Sequence, residues 1–302
     1  MLGCEVEELA PGCRATLAAQ PVHGEVLHGA ARELELLRAL RAAEDPTLRR
    51  SGPHRADDWE RGWRENLDEF EAGGGAMAAL RPKYNRHHVL RLQGDYVRVA
   101  DPGAEYAVYT ALRQHVFQRW FRGLDGVAEF GCGTGTSLLL LAELFPHATL
   151  WGLDWATSSQ GIVARLAERT GRPLHARRFD FFAPDASFCL PPGTGVLTSA
   201  ALEQVGTRHE AFVDWLLARR PAVCVHLEPI VELYDDDTLF DEVARRYHRR
   251  RGYLEGFLPR LQQLTADGRV ELLEVRRTGF GSFHHEGYSI VVWRPLDHGG
   301  AR

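Results

Sequence analysis

Lysine is all but missing from this chain: of 302 residues only Lys83 is a lysine, and arginine carries the rest of the fixed positive charge. The base composition of a source genome accounts for such a bias, so no function is read from it. Cysteine is scarce as well. Cys4, Cys13, Cys132, Cys189 and Cys224 are odd in number and scattered, with no Cys-x-x-Cys pair. That argues against a disulfide framework and a zinc site, and for a reducing cytoplasm. No apolar run approaches the ~18 to 20 residues that span a bilayer. The opening MLGCEVEELAPG carries glutamates where a signal peptide requires positive charge and an apolar core. A cytoplasmic protein without membrane contact is therefore expected. Blocks of like charge are absent and the formal net charge is -5, which disfavours nonspecific binding of nucleic acid. There is no internal repeat and no low-complexity segment.

What remains is ordinary globular composition at a length ample for a sizeable core, either one large domain with an appendage or two domains. Residues 1–50 look helical, with Leu36, Leu37 and Leu40 on one face. DWERGWRENLDEFE predicts a second amphipathic helix starting near Asp57 or Asp58, and Gly73–Gly75 break it. KYNRHHVLRLQGDYVRVADPG (83–103) is mixed and crosses between two parts, and AEYAVYTALRQHVFQRWF (104–121) is again helical. From residue 124 the pattern changes to short apolar runs alternating with helices. Strands are predicted at 126–131, 148–154, 175–180, 195–202, 222–230, 270–280 and 288–295, with one long helical stretch from about Thr238 to Thr265. Such alternation means a mostly parallel, doubly wound α/β sheet of seven strands covered on both faces.

In such sheets ligands bind beyond the carboxyl ends of the strands. The first of these strands ends in V-A-E-F-G-C-G-T-G, where Gly131, Gly133 and Gly135 stand at every second position. Glycine there permits a tight turn and lets a ligand lie against bare backbone. The dinucleotide fingerprint G-x-G-x-x-G does not fit, because the third glycine comes one place early, and no lysine stands in the loop to make a phosphate cradle of the G-x-x-x-x-G-K-[ST] type. Glu129, two places before the first glycine, would repel a pyrophosphate and suits a cation instead.

On these residues the chain resembles class I S-adenosylmethionine-dependent methyltransferases. EFGCGTG resembles their first motif, Asp154 in LWGLD their ribose-binding acid, and Asp180-Phe181 their adenine-contacting segment; TSAALEQVG (198–206) resembles the segment after the fourth strand in small-molecule members. The resemblance covers roughly residues 100–295. It implies a Rossmann-like methyltransferase domain over 101–302, with residues 1–100 outside the common fold as a helical lid or substrate cap. It also implies S-adenosylmethionine as cofactor, leaving as S-adenosylhomocysteine. Glu129 would face its ammonium group, the turn at Gly131, Gly133 and Gly135 its methionine part, and Asp154 both ribose hydroxyls; Trp155, Asp180, Phe181 and Ser199 complete the expected set.

The acceptor side is read from position alone. Glu203, His226, Glu228 and His285 are the candidate catalytic groups, and Tyr84, His88, Gln204, Glu232, His284 and Tyr288 candidate substrate contacts. Several carboxylates and histidines around one mouth favour nitrogen slightly over oxygen as the acceptor. Consecutive residues on a strand face opposite ways, so His284 and His285 do not make a metal pair, and no metal is expected. The expectation is methyl transfer to a small molecule in natural-product biosynthesis, with a homodimer compatible. A peptide or protein side-chain methyltransferase, a non-catalytic cofactor-binding module and an NAD-dependent oxidoreductase are the alternatives.

Overall fold

The computed structural model describes residues 7, 9, 11–19, 22–83 and 87–296. Its centre is a seven-stranded sheet made of β4 (Gly126–Phe130), β5 (Thr149–Asp154), β6 (Leu174–Arg178), β7 (Thr194–Ser199), β8 (Val223–Glu228), β9 (Val270–Arg276) and β11 (Ser289–Pro295). They lie in the order β6-β5-β4-β7-β8-β11-β9, parallel except that β11 runs antiparallel to both neighbours. All seven predicted strands are present, and the doubly wound reading holds.

Burial explains the arrangement. In β4, β7 and β8 every residue is buried, as strands covered on both faces must be. β6, at one edge, reads LHARR and buries only Leu174 fully, so the open edge is charged, which discourages further pairing. Helices α5 (Thr136–Leu144), α6 (Thr157–Thr170), α7 (Glu210–Arg219), α8 (Leu239–Arg251) and α9 (Phe257–Ala266) connect these strands. The long helix read over 238–265 is in fact α8 and α9. Gly252 (φ 65°) ends the first and Gly256 (φ 84°) opens the second, left-handed positions that glycine adopts cheaply.

The N-terminal part differs from expectation. It holds helices α1 (Pro11–Ala19), α2 (Gly29–Ala43) and α3 (Ala56–Ala72), and α4 (Ala104–Trp120) follows it, but it is not wholly helical. Strands β1 (Gly24–Val26), β2 (Val89–Leu92) and β3 (Asp95–Val99) pair with the short β10 (Phe280–Gly281) in a second, antiparallel sheet. The cap therefore draws a strand from the far end of the chain. α3 lies along α6: Glu60 accepts from the Ser158 N–H at 3.3 Å, and Ser158 Oγ donates to the Glu60 carbonyl at 3.0 Å.

Candidate functional site

The glycine turn is built from three residues in left-handed backbone, with φ of 74° at Gly131, 51° at Gly133 and 71° at Gly135. All three are also crowded, and a Cβ on Gly135 would meet Leu166 Cδ1 at 3.0 Å. A Cβ on Gly131 would stand 2.3 Å from that of Ala201, and one on Gly133 would meet the Trp63 ring at 3.0 Å. The turn is fixed from outside: Asp154 Oδ2 accepts from the Gly133 N–H at 3.0 Å, and Ser159 Oγ donates to the Gly133 carbonyl.

Beneath the turn, Glu129 is buried and its Oε2 has no hydrogen-bond partner. Burial pushes its carboxyl up to about 8, against the opposing pull of Ser137 and Arg113. A buried carboxylate oxygen without a donor is costly unless something supplies one. Asp154 is also buried and is raised to about 6 by desolvation. Its oxygens accept from Gly133 and from Ala156, the latter at 2.9 Å. A carboxylate offers about two acceptor positions per oxygen, so each keeps one for a ligand.

Beside this turn runs a cleft whose walls include Trp59, Trp63, Asp154, Trp155, Phe181 and Gln204. It is narrow and aromatic, the shape that accepts a flat heterocycle edge-on. Trp59 and Trp63 stack on each other at 5.4 Å and come from α3, so the N-terminal part supplies one wall. The D-D-W-E-R-G-W spacing puts both tryptophans on one face, yet which partner they meet is a tertiary fact absent from the sequence. Asp180 Oδ1 accepts from the Phe182 N–H at 2.8 Å in a local turn, and Phe181 packs edge-on against Phe212 at 4.7 Å. Ser199 Oγ shares a 2.5 Å hydrogen bond with the Tyr109 hydroxyl.

Trp59 and Ala200 belong both to this cleft and to a larger cavity of about 580 Å³. Of the sequence candidates, Glu203, His284, His285 and Tyr288 line that cavity. Glu203 is pushed up to about 8, first by burial and then by Glu228. His284 is lowered by burial to about 4, and His285 falls well below its ordinary value for the same reason. Tyr288 donates to Glu105 Oε1 at 3.1 Å and stacks on Tyr109 at 4.4 Å.

Other candidates sit elsewhere. His226 is fully buried within the sheet: Nδ1 meets Thr198 Oγ1 at 2.9 Å and Nε2 accepts from Trp293 Nε1 at 2.9 Å. Both ring nitrogens are used and the ring has no route to the cavity, so it is a core histidine. Glu228 is sealed too, accepting from the N–H groups of Ala201, Leu202 and Glu203 at 3.0–3.1 Å. It holds the turn over 202–205 in place rather than facing a ligand. Glu232 is exposed and caps Gly256 N. His88 points to solvent while its neighbour His87 lines the cavity. Gln204 lines the cleft, not the cavity, and donates to Glu203 at 2.8 Å. Tyr84 lies outside the described residues.

The cavity also contains groups that position in the sequence did not single out: Arg55, Glu105, Tyr247, Arg251 and Tyr253. The mouth is therefore not acidic in balance, because Arg55, Lys83 and Arg251 face the same space as Glu105 and Glu203. Among the described residues no group of three or more His, Cys, Asp or Glu is placed to hold a metal ion, and no helix is long and apolar enough to cross a membrane.

His226→Ala should cost about 2–4 kcal/mol of stability, since it opens a cavity and strands the buried Trp293 N–H. Urea unfolding reads that loss. Ligand affinity at the glycine turn should stay within about twofold, since the two lie on different faces; a selective loss of affinity in a stable variant would return His226 to the site.

No protein-family model matches the chain. Trans-aconitate 2-methyltransferase of Streptomyces avermitilis is 32% identical over 91 residues, which are 30% of this chain and 33% of that protein. The chain thus matches about one third of that relative's length. Among solved structures, the [4+2]-cyclase SpnF aligns with a TM-score of 0.53 at 15% identity, covering 82% of this chain and 97% of that one. The neocarzinostatin-pathway O-methyltransferase NcsB1 aligns at TM-score 0.43 and 15% identity over 93% and 98% of the two chains. LaPhzM aligns at 0.45 and 18% over 80% and 71%.

Proposed function

We propose that this chain, which has the class I S-adenosylmethionine-dependent methyltransferase fold, binds S-adenosylmethionine and transfers its methyl group to an oxygen or nitrogen of a small molecule. The observation that carries this reading is the buried, partnerless Oε2 of Glu129 beneath a turn that has no room for side chains. An ammonium group supplies the missing donor, and the backbone N–H groups with the α5 N-terminus suit the carboxylate beside it. The spare acceptor positions of Asp154 fit a pair of ribose hydroxyls, and the aromatic cleft fits an adenine. The partial match to a methyltransferase supports the same reading. A fold shared with a cyclase supports no particular reaction, so the weight rests on these residues.

When bound, the cofactor supplies an electrophilic methyl on a sulfonium. The chain's part is to orient the acceptor, to exclude water and to remove a proton where the nucleophile arrives protonated. Trp59 and Ala200, common to cleft and cavity, set the junction at which donor and acceptor meet. Glu203 follows that junction directly and is held near neutrality, which suits a general base. Glu105 lines the far side with its Oε2 buried and unbonded. A small-molecule acceptor and the biosynthesis of natural products are the setting we favour.

Calorimetry tests this. S-adenosylhomocysteine should bind and NAD should not. Because Glu129 holds a proton up to about 8 and pairing with an ammonium lowers that value, binding at pH 7 should release up to about one proton. Titrations in buffers of different ionisation enthalpy measure it. Binding of NAD alone would end the methyltransferase reading, and binding without proton release would remove Glu129 from the ammonium.

A further inference from the structure

Of the three cations that line the larger cavity, two are paired with acids outside it. Arg55 is paired with Asp58 at 2.9 Å, and Lys83 with Glu69 at 2.6 Å. Arg251 has no such ion pair among the described residues. Its Nη1 donates to the Arg49 carbonyl at 2.5 Å, its guanidinium lies 4.9 Å from the centre of the Tyr253 ring, and its Nε is buried without a partner. Glu203 is the carboxyl that acts on it electrostatically, and burial keeps a proton on Glu203 near neutrality.

The walls beside this arginine are flat. Tyr247 stacks on His284 with 4.4 Å between centres and 8° between planes, and Tyr253 lies over His285 at 5.3 Å and 31°. Both imidazoles are kept uncharged by burial, so they offer hydrogen bonds and ring faces without adding charge. The Nδ1 atoms of both are buried and without partners. A guanidinium whose Nε edge is unbonded takes a carboxylate side-on through two parallel hydrogen bonds. One guanidinium balances one negative charge, whereas a phosphate dianion would leave charge uncompensated.

We infer that the methyl acceptor is an aromatic carboxylate whose negative group docks on Arg251 and whose ring lies against the Tyr247–His284 and Tyr253–His285 pairs. The inference rests on the reading of this cavity as the acceptor site. It adds the substrate class, and it means that Arg251 governs which acceptors enter.

The test uses the full chain loaded with S-adenosylhomocysteine and three probe pairs matched in shape but not in charge: benzoate and benzamide, 2-naphthoate and 2-naphthamide, indole-3-acetate and indole-3-acetamide. Each carboxylate should bind about ten- to a hundredfold more tightly than its amide, the range of a charge-assisted hydrogen-bond pair. Arg251→Gln should abolish that preference while S-adenosylhomocysteine affinity holds. Equal binding within the pairs, no binding of any carboxylate, or a preference that survives Arg251→Gln would overturn the inference. The comparison within each pair on the unmodified protein stands even where the variant does not fold. Failure of S-adenosylhomocysteine to bind counts against the methyltransferase reading instead, and the probe pairs can be measured without it.

Discussion

Asp154→Ala is expected to weaken S-adenosylhomocysteine binding about a hundredfold, read by calorimetry. Each hydrogen bond to a charged group contributes about 1.5 kcal/mol or more, and losing two ribose contacts gives about that factor. The same carboxylate fixes the turn by accepting from Gly133 and Ala156. The variant should therefore also lose about 1–3 kcal/mol of stability for each buried N–H left without a partner. Urea unfolding separates the two losses, because ligand binding is scored on the fraction that remains folded. Asp154 protonates near pH 6, and a protonated acid is a poorer double acceptor, so wild-type affinity should fall as pH drops through 6. Unchanged affinity in the alanine variant would take the ribose away from Asp154.

Glu203→Gln should lower turnover about 10²- to 10⁴-fold, the usual worth of a positioned base, while S-adenosylhomocysteine affinity stays as it was. The wild-type rate should rise with pH and level off above about 8, where Glu203 becomes a carboxylate, and the variant should lose that limb. Stability supplies an independent reading with a defined sign. The folded value lies above the ordinary 4.5, so the folded state holds the proton more tightly than the unfolded chain. That contribution is complete below about 4.5 and is lost as pH climbs through 8. Glutamine cannot ionise, so Glu203→Gln should gain stability relative to wild type as pH rises from about 4.5 to 8. Full turnover in Glu203→Gln, with the limb lost in Glu105→Gln, would move the base to Glu105.

The central sheet was legible because its signals are local. Each strand is a short apolar run bounded by turn residues, and Gly131, Gly133 and Gly135 are spaced by the backbone they must form. Two misreadings had local signals that were outweighed. VLRL-QG-DYVRV is a hairpin: Gln93 and Gly94 both have positive φ, 51° and 85°, the two-residue turn that matches strand twist. Gly252 and Gly256 divide α8 from α9, but the apolar period continues across them and masks the break. The larger cavity was legible only in part. His284, His285, Tyr288 and Glu203 stand near strand ends, where position alone suggests a ligand. Arg55, Glu105, Tyr247 and Arg251 are brought to the same space by packing of the turn before α3, of α4 and of α8, and no spacing within the chain announces that meeting. His226 and Glu228 misled because a strand end near a mouth also contains residues that point into the sheet or back at the loop they support.

The position of β11 has a consequence for how the chain is assembled. It lies between β8 and β9, although it follows both in sequence. While the ribosome is still adding residues before 289, β9 has no strand beside it, and the exposed flank of β8 can pair with nothing native. The parallel half, β4 to β8, can form early around its own helices, but the half that bears the Phe280–Tyr288 turn and its histidines closes only when β11 slides into its slot. The larger cavity is thus among the last parts of the molecule to exist, and a chain cut short of β11 would display two unmatched strands at once.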